Sequence, residues 1–296
     1  MRLISGEVAT GEAVSIFGLE RPVNLQQTLA HARMGSGDPC LRVIGDAVWR
    51  ATRTPHGLAT ERLVAIPDGA IRVDAWGPGS QWLAQRAPLW CGALDEPSQF
   101  QPEQPLLRHL TRCHPGLRIG RNEAVFETAL LVTLEQRITT HEAWQNWRAV
   151  VRALGDPAPG PLPGLWVPPS AERIAHTPYE VFHRFGIERR RADVMRRLAI
   201  VARRLEETVS LPLEIAYRRF SAVSGVGPWT SARIGGIALG DPDAVAVGDL
   251  HVPSLVSWAL AGERRGSDER MLELLEPYRG QRARVIRLLM AGVRSR

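Results

Sequence analysis

One segment, FSAVSGVGPWTSARIGGIALGDPDAVAVGDLHVP from Phe220 to Pro253, concentrates residue types that could do chemistry. Its helical pattern stops at Ser224, Gly225-Val226-Gly227 makes a tight turn, and Pro228 opens the next helix, where a missing N–H costs nothing. Two glycines let backbone approach a ligand closely, and the first N–H groups of the second helix face that ligand, so the turn suits phosphate. On the turn alone an ordinary helix–helix connection is the commoner reading. About 20 residues on, the apolar run Ala244 to Val247 delivers Asp249 just ahead of another helical pattern. A helix N-cap is the usual job of an Asp there. Pro253 argues otherwise, because a proline in the first turn puts the cap at Leu250 or later and leaves Asp249 ahead of it, free to act on something else. Asp241 and Asp243 lie in Gly240-Asp241-Pro242-Asp243, which reads as a turn.

These residues need a scaffold. Residues 41–76 hold short alternating runs, clearest in Ile71, Val73 and Ala75 against Arg72 and Asp74, separated by Pro55-His56-Gly57 and Pro67-Asp68-Gly69. That predicts an antiparallel meander. From about residue 121 the period becomes helical, and Val125, Phe126, Ala129, Leu130, Thr133 and Leu134 share a broad face after Asn122, a candidate cap. The proline- and glycine-rich stretch 156–170 cannot be regular helix and predicts a long connection inside the helical part. Helical patterns resume at 179–185, 190–207, 212–223, 229–239, 253–260, 268–275 and 281–293. The fold class expected is α+β, an antiparallel β domain within residues 1–115 followed by a mostly α-helical domain over 116–296, with its hairpin at about 217–240.

Composition narrows the function classes. Hydrophobic residues at 44% and charged residues at 23% are ordinary globular usage, which argues against disorder. Net charge is +6, so a polyanionic partner suits the chain without being identified by it. Every one of the 37 basic residues is an arginine. No lysine exists to form a Schiff base with a sugar or carbonyl. Cys40, Cys91 and Cys113 fit neither a disulfide framework nor a zinc or iron–sulfur site. The opening stretch MRLISGEVAT lacks a leader's apolar core, and no run of about 18 apolar residues occurs, so a monomeric cytoplasmic protein without a membrane span is expected.

SGVGPWTSARI followed by GDPDAVAVGDLHV resembles the hairpin and catalytic aspartate of the helix-hairpin-helix DNA glycosylases, most nearly the AlkA-type 3-methyladenine glycosylases. The resemblance extends to HPGLRIGRNEAVFETALLVTLEQRITTHEAW from His114, GIERRRADVMRRLA from Gly186 and EPYRGQRARVIRLLMAG from Glu276. More loosely, residues 25–100 resemble the family's TATA-binding-protein-like β domain. The resemblance implies double-stranded DNA with a damaged base, an alkylated purine, as substrate, excised with no required cofactor and no iron–sulfur cluster. It makes Asp249 the catalytic carboxylate and Trp229 a wall of the flipped-base pocket, at the position where bifunctional members carry lysine. Gln136 matches the residue at the DNA gap, and Arg137 matches the wedge, with a plain phosphate contact the alternative. Gly225, Val226, Gly227 and Thr230 become DNA-contacting, and the carbonyls of Ser221, Val223 and Val226 a monovalent-cation site. Thr28, Arg233 and Arg287 stand where the family adds aromatic pocket walls, and two arginines there would repel the cationic alkylpurines that an aromatic box attracts. The arginines at 184, 189, 190, 191, 196, 197, 203, 204, 218 and 219 are expected to include phosphate contacts. A non-catalytic DNA-damage-binding protein with the same hairpin is the alternative function.

Overall fold

The computed structural model describes residues 11–293; the opening stretch 1–10, read above as lacking a leader's core, lies outside them. In chain order the first half comprises β1 (Ala13–Gly18), α1 (Leu25–Leu29), β2 (Leu41–Ile44), β3 (Ala47–Thr54), β4 (Gly57–Ala65), β5 (Ala70–Trp76), α2 (Ser80–Trp90), α3 (Pro105–Cys113), α4 (Val125–Leu134) and α5 (Thr140–Leu154). Then come β6 (Asp156–Pro157), β7 (Trp166–Val167), α6 (Ala171–His176), α7 (Tyr179–Arg184), α8 (Arg189–Ile200), α9 (Ala202–Glu206), α10 (Leu213–Ser221), α11 (Pro228–Ile234), α12 (Val252–Ala261), α13 (Asp268–Leu275) and α14 (Arg282–Gly292). The chain is α+β.

The meander forms as expected. Strands β2 to β5 pair in sequence, antiparallel, and β1 adds to the far edge to give the order β1-β5-β4-β3-β2. Period-two alternation turns Val48, Leu63, Ile71, Val73 and Ala75 onto one face, against Leu25 and Leu29 of α1 and Leu83, Ala87 and Trp90 of α2. The opposite face carries Trp49 and Trp76, stacked at 5.4 Å, and is covered by Leu165 and Val167. The stretch 156–170 connects α5 to α6 within the helical part, as expected, and in addition covers the sheet. Its prolines exclude helix, but a two-residue pairing of β6 with β7 presents an apolar edge that the sheet needs.

Helix α4 is the axis of the helical core, buried at every position except Glu127, with α5, α8, α9 and α11 packed round it. Asn122 does not cap it. The Asn122 side chain is drawn to Thr128 and the Ala124 N–H, and the first N–H groups of α4, from Val125 and Phe126, donate to the carboxylate of Glu206 at 3.1 and 2.8 Å. A third apolar cluster joins Leu107 and Leu110 of α3 to Val256, Met271, Val285 and Leu289 of α12 to α14. The first 115 residues thus contribute to the sheet's core, to that of the C-terminal helices and, through Met34 and Cys40, to the helical core around α4. Among the described residues no helix is long and apolar enough to cross a membrane.

Candidate functional site

The hairpin is α10, a turn from Ala222 to Gly227, and α11. Gly225 has φ +97, and a Cβ there would strike Val194 of α8, so both backbone angle and close packing require glycine. Val223 and Val226 are buried, and the Val226 N–H donates to the Val223 carbonyl at 2.9 Å, which closes the turn. Gly227 precedes the helix with Pro228 in its first turn, as the sequence predicted. Gln136, two residues beyond α4, donates through Nε2 to the Gly225 carbonyl at 3.1 Å and to Oγ1 of buried Thr230 at 2.8 Å. It clamps the hairpin from the side. Arg137 follows with φ +55, a left-handed backbone that an arginine rarely adopts, and its side chain is exposed.

Asp249 lies beside the hairpin and is half-buried. Its Oδ2 accepts the Trp229 indole N–H at 2.9 Å, and its Oδ1 accepts the backbone N–H groups of His251 and Val252 at 2.9 and 3.0 Å. The expectation that Asp249 is free of capping duty is therefore corrected. Pro253 does push the formal cap to His251, but the Asp249 carboxylate reaches forward two and three residues to satisfy the helix's opening donors. Burial pushes this carboxyl up, and the Trp229 N–H, the two backbone N–H groups and the Arg233 charge outweigh it, so Asp249 is held below the usual carboxylate range. One residue earlier Gly248, at φ +91, donates its N–H to both carboxylate oxygens of Asp268, at 3.1 and 2.9 Å. Asp241 and Asp243 are committed elsewhere, to Tyr217 at 2.6 Å and to Arg282.

The remaining expected pocket residues divide. Trp229 meets Asp249 edge-on through its N–H, while the Arg233 guanidinium lies 5.9 Å from its ring centroid. Arg233 is paired with Glu135 at 2.8 Å, so its charge is largely answered within the protein. Thr28 is not a pocket wall. Its hydroxyl is fully buried between the Gly116 carbonyl and the Arg118 N–H, 3.2 Å from each. Arg287 braces α14 to α1, donating to the Thr28 carbonyl at 2.6 Å and the Gln27 carbonyl at 3.4 Å; burial first, then the Arg284 charge, pushes it down to about 10. Its second terminal nitrogen is buried without a partner. Of the basic stretch, Arg191 is buried and props the Leu134 carbonyl, and Arg219 pairs with Glu207. Arg197 donates to the Ser224 carbonyl in the hairpin, whereas Arg184, Arg190, Arg203 and Arg204 face solvent.

Sequence reading missed Glu135, Asp268, His251 and His31. His251 is exposed beside Asp249. Both ring nitrogens of His31 are buried without partners; burial and the charges of Arg287 and Arg233 push it well below the ordinary histidine range. Only His251, adjacent to the aspartate, carried a local signal.

Three similar solved structures share this fold. A 3-methyladenine DNA-glycosylase from Archaeoglobus fulgidus superposes with a TM-score of 0.80 over 94% of this chain and 97% of that one, at 23% identity. An 8-oxoguanine glycosylase/lyase from Clostridium acetobutylicum, in complex with dsDNA containing cytosine opposite 8-oxoG, does so at 0.71 over 96% of both chains with 12% identity. The fold is that of the helix-hairpin-helix DNA glycosylases. The 3-methyladenine DNA glycosylase of Schizosaccharomyces pombe, in complex with abasic DNA, matches over 63% of this chain and 90% of that one, with a TM-score of 0.53 and 16% identity. No family model matches the chain, and no curated protein matches it either. The chain contains no lysine.

Proposed function

We propose that the protein is a monofunctional DNA glycosylase of base excision repair that flips a damaged purine out of duplex DNA, alkylated purines being the first class to test, and hydrolyses its N-glycosidic bond. The observation that carries this reading is Asp249 fixed as an anion by three N–H donors next to a phosphate-suited hairpin. As the C1′–N bond breaks, its electron pair leaves with the base and positive charge builds on the sugar, as in glycosidase transition states. A carboxylate whose donors are already in place stabilises that charge without reorganising. Water then adds at C1′ and gives up its proton, leaving an abasic site. Without lysine no imine forms through a side chain, so the strand is not cut.

DNA, the ligand in two of the similar structures, suits the rest of the surface. Backbone N–H groups around Gly225, Gly227 and Thr230 bind phosphate, the Val226 N–H being taken by the Val223 carbonyl, with Arg184, Arg190, Arg203 and Arg204 adding charge. Gln136 holds the hairpin to the loop from which Arg137 enters the gap left by the flipped base. The carbonyls of Ser221, Val223 and Val226 would hold a monovalent cation that bridges to phosphate, although the Val223 oxygen already takes one N–H. The chemistry needs no other cofactor, and the protein works as a cytoplasmic monomer.

The Arg233–Glu135 pair beside Trp229 favours a second reading, a DNA-damage-binding protein whose pocket is closed to catalysis. A panel of single-lesion duplexes, treated with alkali after incubation, separates the two. Alkali-dependent strand breaks establish the glycosylase; binding without breaks on every lesion establishes the second reading. Breaks without alkali, or a borohydride-trapped adduct that survives blocking of the N-terminal amine, would refute the monofunctional assignment.

A further inference from the structure

We infer that Asp268 is the positioning residue for Asp249, an inference that rests on the catalytic reading of Asp249 given above. Val245 and Val252 anchor the Asp249 loop to the C-terminal core, but between them Gly248 and Leu250 are exposed, and no Cβ at Gly248 would touch anything. There the backbone is held by polar contacts, and among the described residues the bidentate acceptance of the Gly248 N–H by Asp268 is the one that reaches it from outside the segment. That contact crosses 20 residues and grips the peptide group joining Val247 to Gly248, one residue ahead of the reacting carboxylate. Gly248 at φ +91 is the swivel of the loop, so fixing its N–H fixes the direction in which Asp249 leaves the backbone.

Asp268 has no other evident task. It opens α13, but the cap of that helix is already made by Ser267, whose hydroxyl accepts the Arg270 N–H at 3.2 Å. Nor does it serve an ion pair. Arg270, two residues away, binds Glu263 at 2.7 Å and Glu273 at 2.8 Å, and Asp268 has no cationic partner among the described residues. A carboxylate so placed accepts a charge-assisted hydrogen bond, stronger than a neutral one, and holds it at the first turn of a helix where its charge is favoured. The consequence is orientational. Without Asp268 the carboxylate of Asp249 still reaches its own helix N-terminus, but the loop can turn about Gly248 and weaken the Trp229 contact that aims the second oxygen.

The test compares Asp268→Ala, Asp268→Asn and Asp249→Asn on a lesion duplex that the wild-type chain cuts. For Asp268→Ala, single-turnover excision should fall on the order of tenfold or more, the cost of a small misplacement of a reacting group, while the Kd for DNA stays within about twofold. Asp268→Asn, which keeps one acceptor oxygen, should recover most of the rate. The Trp229 indole N–H resonance, assigned by its loss in Trp229→Phe, should move upfield and exchange faster in Asp268→Ala and stay near its wild-type position in Asp268→Asn. An inactive Asp249→Asn beside an Asp268→Ala of wild-type rate and unshifted indole resonance overturns the inference and leaves the glycosylase reading standing. An active Asp249→Asn overturns both.

Discussion

Two carboxylates in poorly hydrated surroundings meet opposite fates. At the loop ahead of α12, Asp249 is given three N–H donors and stays below the usual range. At the seam between the sheet and α4, Glu127 receives one hydroxyl, from Thr52 at 2.6 Å, and burial drives it up to about 7, with Arg50 and Thr52 too weak to compensate and Glu206 and Asp38 adding repulsion. Burial alone therefore does not decide charge; the supply of donors does. The site region spends three donors to keep an anion, and the sheet seam lets its acid hold a proton at mildly acidic pH.

The sharpest way to break this contrast is Asp249→Asn, which deletes the anion and keeps the shape. Single-turnover excision should fall on the order of 10²–10³-fold, with DNA affinity equal or improved because a negative charge near phosphate is removed. Full activity would sink the catalytic assignment.

Glu127→Gln probes the other carboxylate through stability. A carboxyl raised in the folded state binds its proton more tightly there than in the unfolded chain, so its contribution is most favourable below about 4.5 and is lost as pH rises towards about 7. The melting temperature of the variant relative to wild type should rise across that window and level off above it, by an amount equivalent to at most about 3 kcal/mol. A difference that does not vary with pH would show that Glu127 is ionised throughout.

Trp229→Phe returns Asp249 part of the way towards Glu127 by removing one donor. The carboxylate's pKa should rise, and since excision needs the anion, the acid limb of the pH–rate profile should move to higher pH, with a rate loss of about tenfold at neutral pH. An unmoved acid limb would mean that the backbone N–H groups suffice.

The smallest effect concerns selectivity. Arg233→Tyr should raise the ratio of excision rates for a cationic base over a neutral one by a few-fold, because only part of the arginine's charge escapes Glu135. Arg287→Trp should do so less, its terminal nitrogen being tied to the Thr28 carbonyl. Ratios unchanged in both would show that neither arginine meets the base.

The hairpin was legible because its signals are local: glycines at 225 and 227, a proline at 228 and an aspartate some twenty residues on are all read within one stretch of chain. The meander was legible for the same reason, through alternation at Ile71, Val73 and Ala75. What stayed hidden is set by distance along the chain. Glu135 meets Arg233 across 98 residues, Glu206 reaches Phe126 across 80, and Arg287 meets Thr28 across 259, and no periodicity encodes such pairings. Thr28 was misread as a pocket wall because a small hydroxyl residue can face a cavity or satisfy a loop, and only the loop at Gly116 to Arg118 decides which. The sequence leaves Asp249 unoccupied because the position of a cap does not reveal help from a residue ahead of it.

Helix α4 borrows partners for both of its ends: Glu206 serves the opening N–H groups, and buried Arg191 takes the Leu134 carbonyl. Both lenders lie at least 50 positions downstream, on α8 and α9. During synthesis, then, the helix at the centre of the domain cannot be completed when it emerges; it must wait for a segment made later. A fragment ending before residue 189 would carry α4 with both termini open to water, and amide exchange along it should track the docking of α8 and α9 rather than the strength of the helix itself.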